Sequence, residues 1–103
     1  MEMLEVRYWP QSLRLCVQGH AGAGRPGEDL VCAAASGLVW ALAEALSEQG
    51  AEMPERGRAI LQARAKSEEE ARSWRAAFDV IAGGFAALGR SYPEHVRMRR
   101  MEE

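Results

Sequence analysis

The 103-residue chain has a formal net charge of −2, with 48% hydrophobic and 27% charged residues. This length and composition predict one ordinary globular domain, residues 1–103. The small net charge gives no electrostatic reason to expect direct nucleic-acid binding, and two cysteines are too few for a disulfide framework.

The sequence contains no convincing targeting segment. Its first ten residues, MEMLEVRYWP, lack the basic, apolar and small-residue order of a secretory signal. The longest apolar run, Leu30 to Leu46, is interrupted by polar residues and is too short for a membrane span, which needs about 20 strongly apolar residues. We therefore expect a cytoplasmic protein with no membrane partner, in a compartment where thiols stay reduced.

The first two predicted elements are the strands of a β-hairpin. Apolar and polar residues alternate over residues 3–8 and again over residues 12–18, with the turn-like sequence WPQS between them. One face of this hairpin is apolar and is expected to be buried: Leu4, Val6, Tyr8, Leu13, Leu15 and Val17.

A glycine-rich segment, residues 19–28, leads from the hairpin into the first predicted helix. Asp29 is a good N-cap, and the helix is predicted over Leu30–Gln49 with Gly50 as its stop. Because this helix is apolar almost all round, we expect it either to be central in the domain or to be shared with a second subunit.

The second half of the chain predicts a turn or short strand over residues 51–57, a strand over residues 58–66, a second helix and a short last strand around Val96. Ser67 and Glu70 fit a capping box for that helix. Gly83 and Gly84 lie inside it and predict a close backbone approach or a kink. Its apolar stripe has spacings of three and four residues: Ala71, Trp74, Phe78, Ile81, Phe85 and Leu88.

The order β-β-α-(β)-β-α-β favours a small α/β (α+β) fold. We expect a single-layer mixed sheet, built from the hairpin and the later strands, packed with two helices.

Cys32 stands in the first turn of the first predicted helix, where the helix dipole and unpaired N–H groups stabilise negative charge. Such a position lowers the pKa of a thiol and favours the nucleophilic thiolate, and the same N–H groups could hold a developing oxyanion. His20, at the end of the second predicted strand, could accept the proton of Cys32. The pattern indicates a nucleophile and its base, and simple packing of both residues is the alternative.

The residues around this pair suggest supporting roles. Asp29 is explained by capping, and it could also orient the base or a substrate group. Ser36, one turn after the cysteine, could donate to a substrate carbonyl or simply pack against a neighbour. The glycines would allow the loop from Gly22 to Gly27 to move over a bound chain.

Other interpretations of these residues are weaker. Cys16 lies roughly 13 Å from His20 along the predicted strand and is best explained as a small apolar filler. The segment GAGRPGED lacks the Gly-Lys-Ser/Thr ending of a phosphate-binding loop. The two cysteines and two histidines lack the paired spacing of metal ligands, so we expect neither a metal nor a cofactor. Arg97, Arg99 and Arg100 are better explained as a solvated strand face than as an RNA contact.

The sequence GHAG followed by GEDLVCAAAS resembles the motif pair of the ribosomal-processing cysteine proteases, the Prp family, over about residues 13–40. That family shows a Gly-His-Ala start, a glycine-rich loop, then Gly-x-Asp-Ile/Leu-Val-Cys-Ala-Ala and a serine. YPEHV near the C-terminus is also similar to the family's ending, whereas AGAGRPGE is richer in glycine and alanine than the usual loop. The matching positions are Gly19, His20, Ala21, Gly27, Asp29, Val31, Cys32, Ala33, Ala34 and Ser36.

The resemblance implies a small α/β fold, usually a homodimer, and a bacterial cytoplasmic endopeptidase with Cys32 as nucleophile and His20 as base. It implies as substrate and partner the twenty-seventh large-subunit ribosomal protein, which loses a short N-terminal extension before ribosome assembly. A non-catalytic, ribosome-associated binding module is the alternative function. The residues expected to support the site or to bind substrate are Gly19, Ala21, Gly22, Gly27, Asp29 and Ser36.

Overall fold

The computed structural model describes residues 2–25, 27–47, 49, 51–55 and 57–103. The element order confirms the predicted β-β-α-β-β-α-β sequence with the third strand present, while the predicted helix stop at Gly50 lies outside the described residues. The elements are β1 (Leu4–Trp9), β2 (Arg14–Gly19), α1 (Leu30–Ala45), β3 (Ala51–Glu55), β4 (Arg58–Gln62), α2 (Glu68–Ser91) and β5 (Val96–Arg100).

The strands form one mixed five-stranded sheet in the order β3-β4-β2-β1-β5. β1 and β5 are parallel, and the other neighbouring pairs are antiparallel. Leu4 pairs with both Gly19 and Val96, and Gln18 pairs with Arg58. The end of β2 therefore meets the starts of β1, β4 and β5 at one end of the sheet, where the candidate site lies.

Both helices pack against one face of the sheet and form a single hydrophobic core with it. The predicted apolar face of the hairpin is buried, as is the centre of the α2 stripe. The ring of Tyr8 stacks on Phe78 with centroids 6.3 Å apart, and its hydroxyl donates to Asp79 on α2. The expected single-layer α+β architecture is confirmed.

α1 is shorter than predicted and is not central in the domain. It ends at Ala45; the C-cap residue Leu46 is buried in the core, and its N–H donates to the carbonyls of Leu42 and Ala43. One side of α1 packs on the core, but Leu30 and Trp40 are 80% and 65% exposed. In the described part of the chain, no helix is long and apolar enough to cross a membrane.

β4 also ends earlier than predicted, at Gln62 instead of residue 66. Gln62 pairs with Arg14, the first residue of β2, and one more backbone bond follows, from the Ala63 N–H to the Leu13 carbonyl at 2.9 Å. Ala65 continues the alternation of Ala59, Leu61 and Ala63 in the sequence, but it lies beyond the strand and is exposed. The alternation of the sequence therefore extends beyond the residues that pair as a strand.

The start and the middle of α2 agree with the sequence-based predictions. Ser67 caps the helix, its Oγ accepting the N–H of Glu70 at 3.1 Å. The helix is continuous through Gly83 and Gly84. A Cβ at residue 84 would lie 2.8 Å from Cδ2 of Leu38 on α1, so this glycine permits the close approach of the two helices.

Candidate active site

Cys32 lies in the first turn of α1, beside the end of β2. Asp29 is the N-cap: its Oδ1 accepts the Cys32 N–H at 2.9 Å. The other carboxylate oxygen of Asp29 accepts the N–H of Ala23 at 3.0 Å. One side chain thus begins the helix, as predicted, and also ties the glycine-rich loop to the helix start.

The Cys32 thiol is half-buried and lies beside Ala21, the residue that follows His20. The N–H of Ala21 donates to Sγ of Cys32 at 3.4 Å. The carbonyl of Ala21 accepts a hydrogen bond from Nδ1 of His95 at 2.7 Å, and the Ala21 side chain is fully buried. Both backbone groups of Ala21 are therefore engaged, and its amide points at the candidate nucleophile.

His95 was not among the residues that the sequence predicted for this site. The backbone fixes this residue firmly: its carbonyl accepts the N–H of Leu4 at 2.9 Å, and its own N–H donates to the Tyr92 carbonyl at 2.9 Å. Its place in YPEHV, the second stretch similar to the Prp family, was the signal that could have identified it. Among the described residues, no group of three or more His, Cys, Asp or Glu side chains could hold a metal ion.

His20 is exposed, and its ring lies against the turn before β4. A Cβ at residue 57 would lie 2.9 Å from Nε2 of His20, so Gly57 leaves room for the ring. The N–H of Gly19, a residue with φ +99°, donates to the carbonyl of Gly57 at 2.8 Å. Within the described residues the His20 ring makes no hydrogen bond to Cys32, although its backbone leads directly to Ala21 above the sulfur.

The charge state of Cys32 differs from the sequence-based expectation. Burial, the largest effect, raises the pKa of the Cys32 thiol; the Ala21 N–H lowers this pKa, and the Asp29 carboxylate raises it again. The pKa of this thiol is therefore raised, whereas the sequence predicted a lowering by the helix start. The pKa of Asp29 is itself lowered, chiefly by the hydrogen bond from the Cys32 N–H, so this neighbour is a carboxylate.

The N–H groups at the start of α1, which were expected to hold an oxyanion, already donate hydrogen bonds to Asp29. The Cys32 N–H bonds to the Asp29 side chain, and the Ala33 N–H donates to the Asp29 carbonyl at 3.0 Å. The amide that faces the sulfur instead belongs to Ala21. A capping carboxylate and an oxyanion would compete for the same donors, which is why the cap alone does not create the expected hole.

The remaining predicted site residues surround this centre. Gly22 and Gly27 have φ values of +65° and +83°, so the loop uses the left-handed region that glycine enters without strain. Ser36 lies half-buried on α1, one turn after the nucleophile. Cys16 is a free cysteine, 9% exposed, on the sheet face away from the helices, as expected for a small filler.

The sequence model of the family described as "Cysteine protease Prp" matches residues 5–97 of this chain. No curated protein matches the sequence. The solved structure of SMU.848 from Streptococcus mutans has a TM-score of 0.78 and 23% identity, and the match covers 98% of this chain and 96% of that one.

Two structures of the essential ribosomal processing protease Prp from S. aureus are also similar. The complex with a covalently linked product peptide has a TM-score of 0.76 and 17% identity. The complex with a substrate peptide has a TM-score of 0.68 and 14% identity. Each match covers 98% of this chain and 100% of the other, so the whole fold is shared.

Proposed function

The chain belongs to the Prp family of cysteine proteases, and from that premise we propose that it removes a short N-terminal extension from a bacterial large-subunit ribosomal protein. The observation that carries the proposal is the bond from the Ala21 N–H to Sγ of Cys32, which brings the end of β2 to a thiol at a helix start. The S. aureus protease supports the substrate class, since it is a ribosomal processing protease described with bound substrate and product peptides.

In the proposed reaction, Sγ of Cys32 attacks the scissile carbonyl carbon while His20 takes the thiol proton. The tetrahedral intermediate collapses to a thioester as His20 returns that proton to the leaving amine. A water molecule, deprotonated by His20, then hydrolyses the thioester to the product carboxylate and restores the thiol. Because burial raises the pKa of the Cys32 thiol, we expect proton transfer to His20 to accompany the attack.

This reaction requires two rearrangements. The exposed ring of His20 turns from its place against Gly57 toward Cys32, a rotation that surface side chains complete in picoseconds to nanoseconds. The Ala21 N–H, which faces the sulfur in the resting state, then donates to the oxyanion formed beside that sulfur. His95 holds the Ala21 carbonyl in place and is a positioning residue in this proposal.

The substrate is proposed to bind as an extended peptide beneath the loop from Gly22 to Gly27. β5 lies at one edge of the sheet and begins directly after His95, so a peptide paired with this edge would pass close to Ala21. A cytoplasmic location belongs to the proposal, because Cys16 and Cys32 are both free thiols, which that compartment keeps reduced.

A homodimer formed through α1 is also part of the proposal. The outward side of this helix exposes Leu30 and Trp40 together with small residues such as Ala33, Gly37 and Ala41. Small residues between two large apolar side chains allow the same helix of a second copy to approach closely. A twofold pairing of α1 would cover this apolar side.

The function is tested with the purified chain and the extended ribosomal protein from the same genome. We expect cleavage by the unaltered chain and by Cys16→Ala, and a loss of about a thousandfold or more in Cys32→Ala. Cleavage by Cys32→Ala would exclude this nucleophile. Binding without cleavage by the unaltered chain would instead identify a non-catalytic binding module, and a ribosomal protein lacking an extension would exclude the substrate.

The dimer is tested by light scattering on two matched variants. Trp40→Lys places a charge on the exposed side of α1, and Val80→Lys places one on α2 at a side chain that is 73% exposed. We expect a dimeric mass for the unaltered chain and for Val80→Lys, and a monomeric mass for Trp40→Lys. A monomeric unaltered chain would refute the α1 dimer.

A further inference from the structure

The sheet has one face that neither helix covers, and its charge differs from that of the whole chain. On β1, β2 and β5, this face carries Arg7, Arg14, Arg97 and Arg99, and the described side chains there include one carboxylate, Glu5. The ladder places Arg7 directly opposite Arg99. A chain with a net charge of −2 thus has a strongly basic surface, which we call the arginine face.

Glu5 neutralises this surface only weakly. Its carboxylate oxygens lie 3.9 Å from the guanidinium groups of Arg7 and Arg97, at the outer limit of an ion pair. All three side chains are about half exposed to solvent, where such pairs contribute little. The arginines therefore keep most of their capacity to bind an external anion.

A cleft lies at the end of the arginine face farthest from Cys32. The guanidinium of Arg14 lies over the ring of Trp9, 5.5 Å from its centroid. These two side chains, with Ser12 and Gln62, line a cleft of about 410 Å³. Nε of Arg14 is buried and has no hydrogen-bond partner among the described residues. Since buried N–H donors are normally hydrogen-bonded, a bound ligand could supply the acceptor here.

We propose that the arginine face binds single-stranded RNA, with one base stacked on the Trp9–Arg14 pair and the phosphates lying across Arg7, Arg97 and Arg99. Guanidinium groups bind phosphate oxygens strongly, and bases stack on tryptophan rings and guanidinium planes. A second copy of the chain does not suit this face, because two arginine faces repel each other. An acidic peptide offers the charge but no ring to stack.

A carboxylate on the rim of the cleft limits where the phosphates of the RNA can lie. The carboxylate of Glu103 accepts the backbone N–H groups of Gln11 and Ser12 on this rim. Its negative charge disfavours a phosphate there. The phosphates are therefore placed on the other side of Trp9, along β1 and β5.

The test is the binding of a fluorescently labelled, mixed-sequence RNA strand of about 12 nucleotides, a length within the range that one small domain covers. Anisotropy is measured with the full chain between about 50 and 200 mM salt. The triple variant Arg7→Gln/Arg97→Gln/Arg99→Gln is expected to bind about tenfold or more weakly. Its log–log salt slope is expected to fall by about 2, since each phosphate contact on a single strand contributes about 0.7.

The matched control is Arg64→Gln/Arg72→Gln/Arg90→Gln, which removes the same charge from exposed arginines off this face. We expect the control to bind RNA nearly as well as the unaltered chain. Equal loss in the two triple variants, or no RNA binding by the unaltered chain, would overturn the proposal. If the first triple variant does not fold by circular dichroism, Arg97→Gln/Arg99→Gln replaces it, because both side chains are exposed.

A second measurement tests stacking and separates RNA from acidic protein. Trp40→Phe/Trp74→Phe leaves Trp9 as the single tryptophan of a chain that has three. RNA is expected to quench its fluorescence, and polyglutamate of equal charge is expected to leave it unchanged and to bind more weakly. Equal binding of polyglutamate, or RNA binding without quenching, would overturn the proposal. Both assays measure binding alone and do not depend on protease activity.

Discussion

Both helices begin at a side-chain oxygen that accepts the N–H three residues further on. Asp29 accepts from Cys32 at 2.9 Å, and Ser67 accepts from Glu70 at 3.1 Å. α2 follows its cap with three glutamates that are complementary to the helix dipole, whereas α1 has no acidic residue in its first turn. The two starts share one capping geometry but place very different side chains at the third helical position.

The difference between the two starts is their surroundings. The start of α2 lies in solvent, and its carboxylates are largely exposed. The start of α1 lies against the end of the sheet, where the Ala21 amide contacts Sγ of Cys32 and burial raises the thiol pKa. At the start of α1, desolvation and the capping carboxylate therefore raise the thiol pKa and oppose the helix dipole.

Among variants that compare the two helix starts, the largest effect is expected from releasing the sheet-side support of α1, for which α2 has no equivalent. His95→Ala removes the donor to the Ala21 carbonyl and is expected to lower kcat about ten- to hundredfold with little change in KM. Since the Ala21 N–H lowers the pKa of Cys32, loosening it is also expected to slow iodoacetamide labelling at fixed pH.

His95→Asn is the matched control, because its side-chain nitrogen can donate from nearly the same place as Nδ1. We expect it to restore most of the activity and of the labelling rate. Equal losses in the alanine and asparagine variants would mean that His95 contributes only to packing.

The charge of the α1 cap is tested by Asp29→Asn, which keeps an N-cap but removes the carboxylate beside Cys32. Because Asp29 raises the thiol pKa, this variant is expected to lower that pKa and to label about three- to tenfold faster near neutral pH. Labelling rates measured against pH check the result. A pH profile identical to that of the unaltered chain would show that the cap does not influence the thiol.

The place of the His20 ring is tested by Gly57→Ala and Gly27→Ala, two positions with φ near +82°, where alanine is similarly strained. Each variant is expected to lose about 1 kcal/mol of unfolding free energy. Only residue 57 has the His20 ring within contact of a new Cβ. NMR shifts of that ring should therefore change in Gly57→Ala alone, and equal changes in both would contradict the described position.

The smallest expected effect is on stability, where the two caps should be nearly equal at neutral pH. Asp29→Ala and Ser67→Ala are each expected to cost about 1 kcal/mol in urea unfolding. The folded-state pKa of Asp29 is lowered, so its contribution is present above the ordinary aspartate pKa and is lost as pH falls through the folded value. The cost of Asp29→Ala should shrink on acidification and that of Ser67→Ala should not; parallel pH dependence would refute this difference.

Much of the fold could be predicted because its signals are local. Alternation identified the hairpin, and the spacing of Phe78, Ile81 and Phe85 identified the buried side of α2. Element ends were less predictable: α1 stops where Leu46 enters the core, and β4 stops where its partner strand begins. Both ends depend on contacts with distant parts of the chain, which periodicity does not report.

The candidate site was predicted in the same uneven way. The sequence placed Cys32 and the Asp29 cap correctly at the helix start, because capping involves residues three apart. It did not predict that burial and the Asp29 carboxylate would raise the pKa of the Cys32 thiol. The net charge of −2 likewise did not indicate the arginine face. Net charge is summed over the whole chain and carries no information about which strands become neighbours.

By itself, the sequence determined the order of the elements, the capped start of α1 and the family to which the chain belongs, since all three are written in short-range spacing. The tertiary structure alone decided which amide faces the sulfur, how strongly the thiol is desolvated and which residue steadies that amide. His95 and Ala21 are 74 positions apart. Their contact exists because β1 pairs with both β2 and β5, and a sheet joins distant residues through its register.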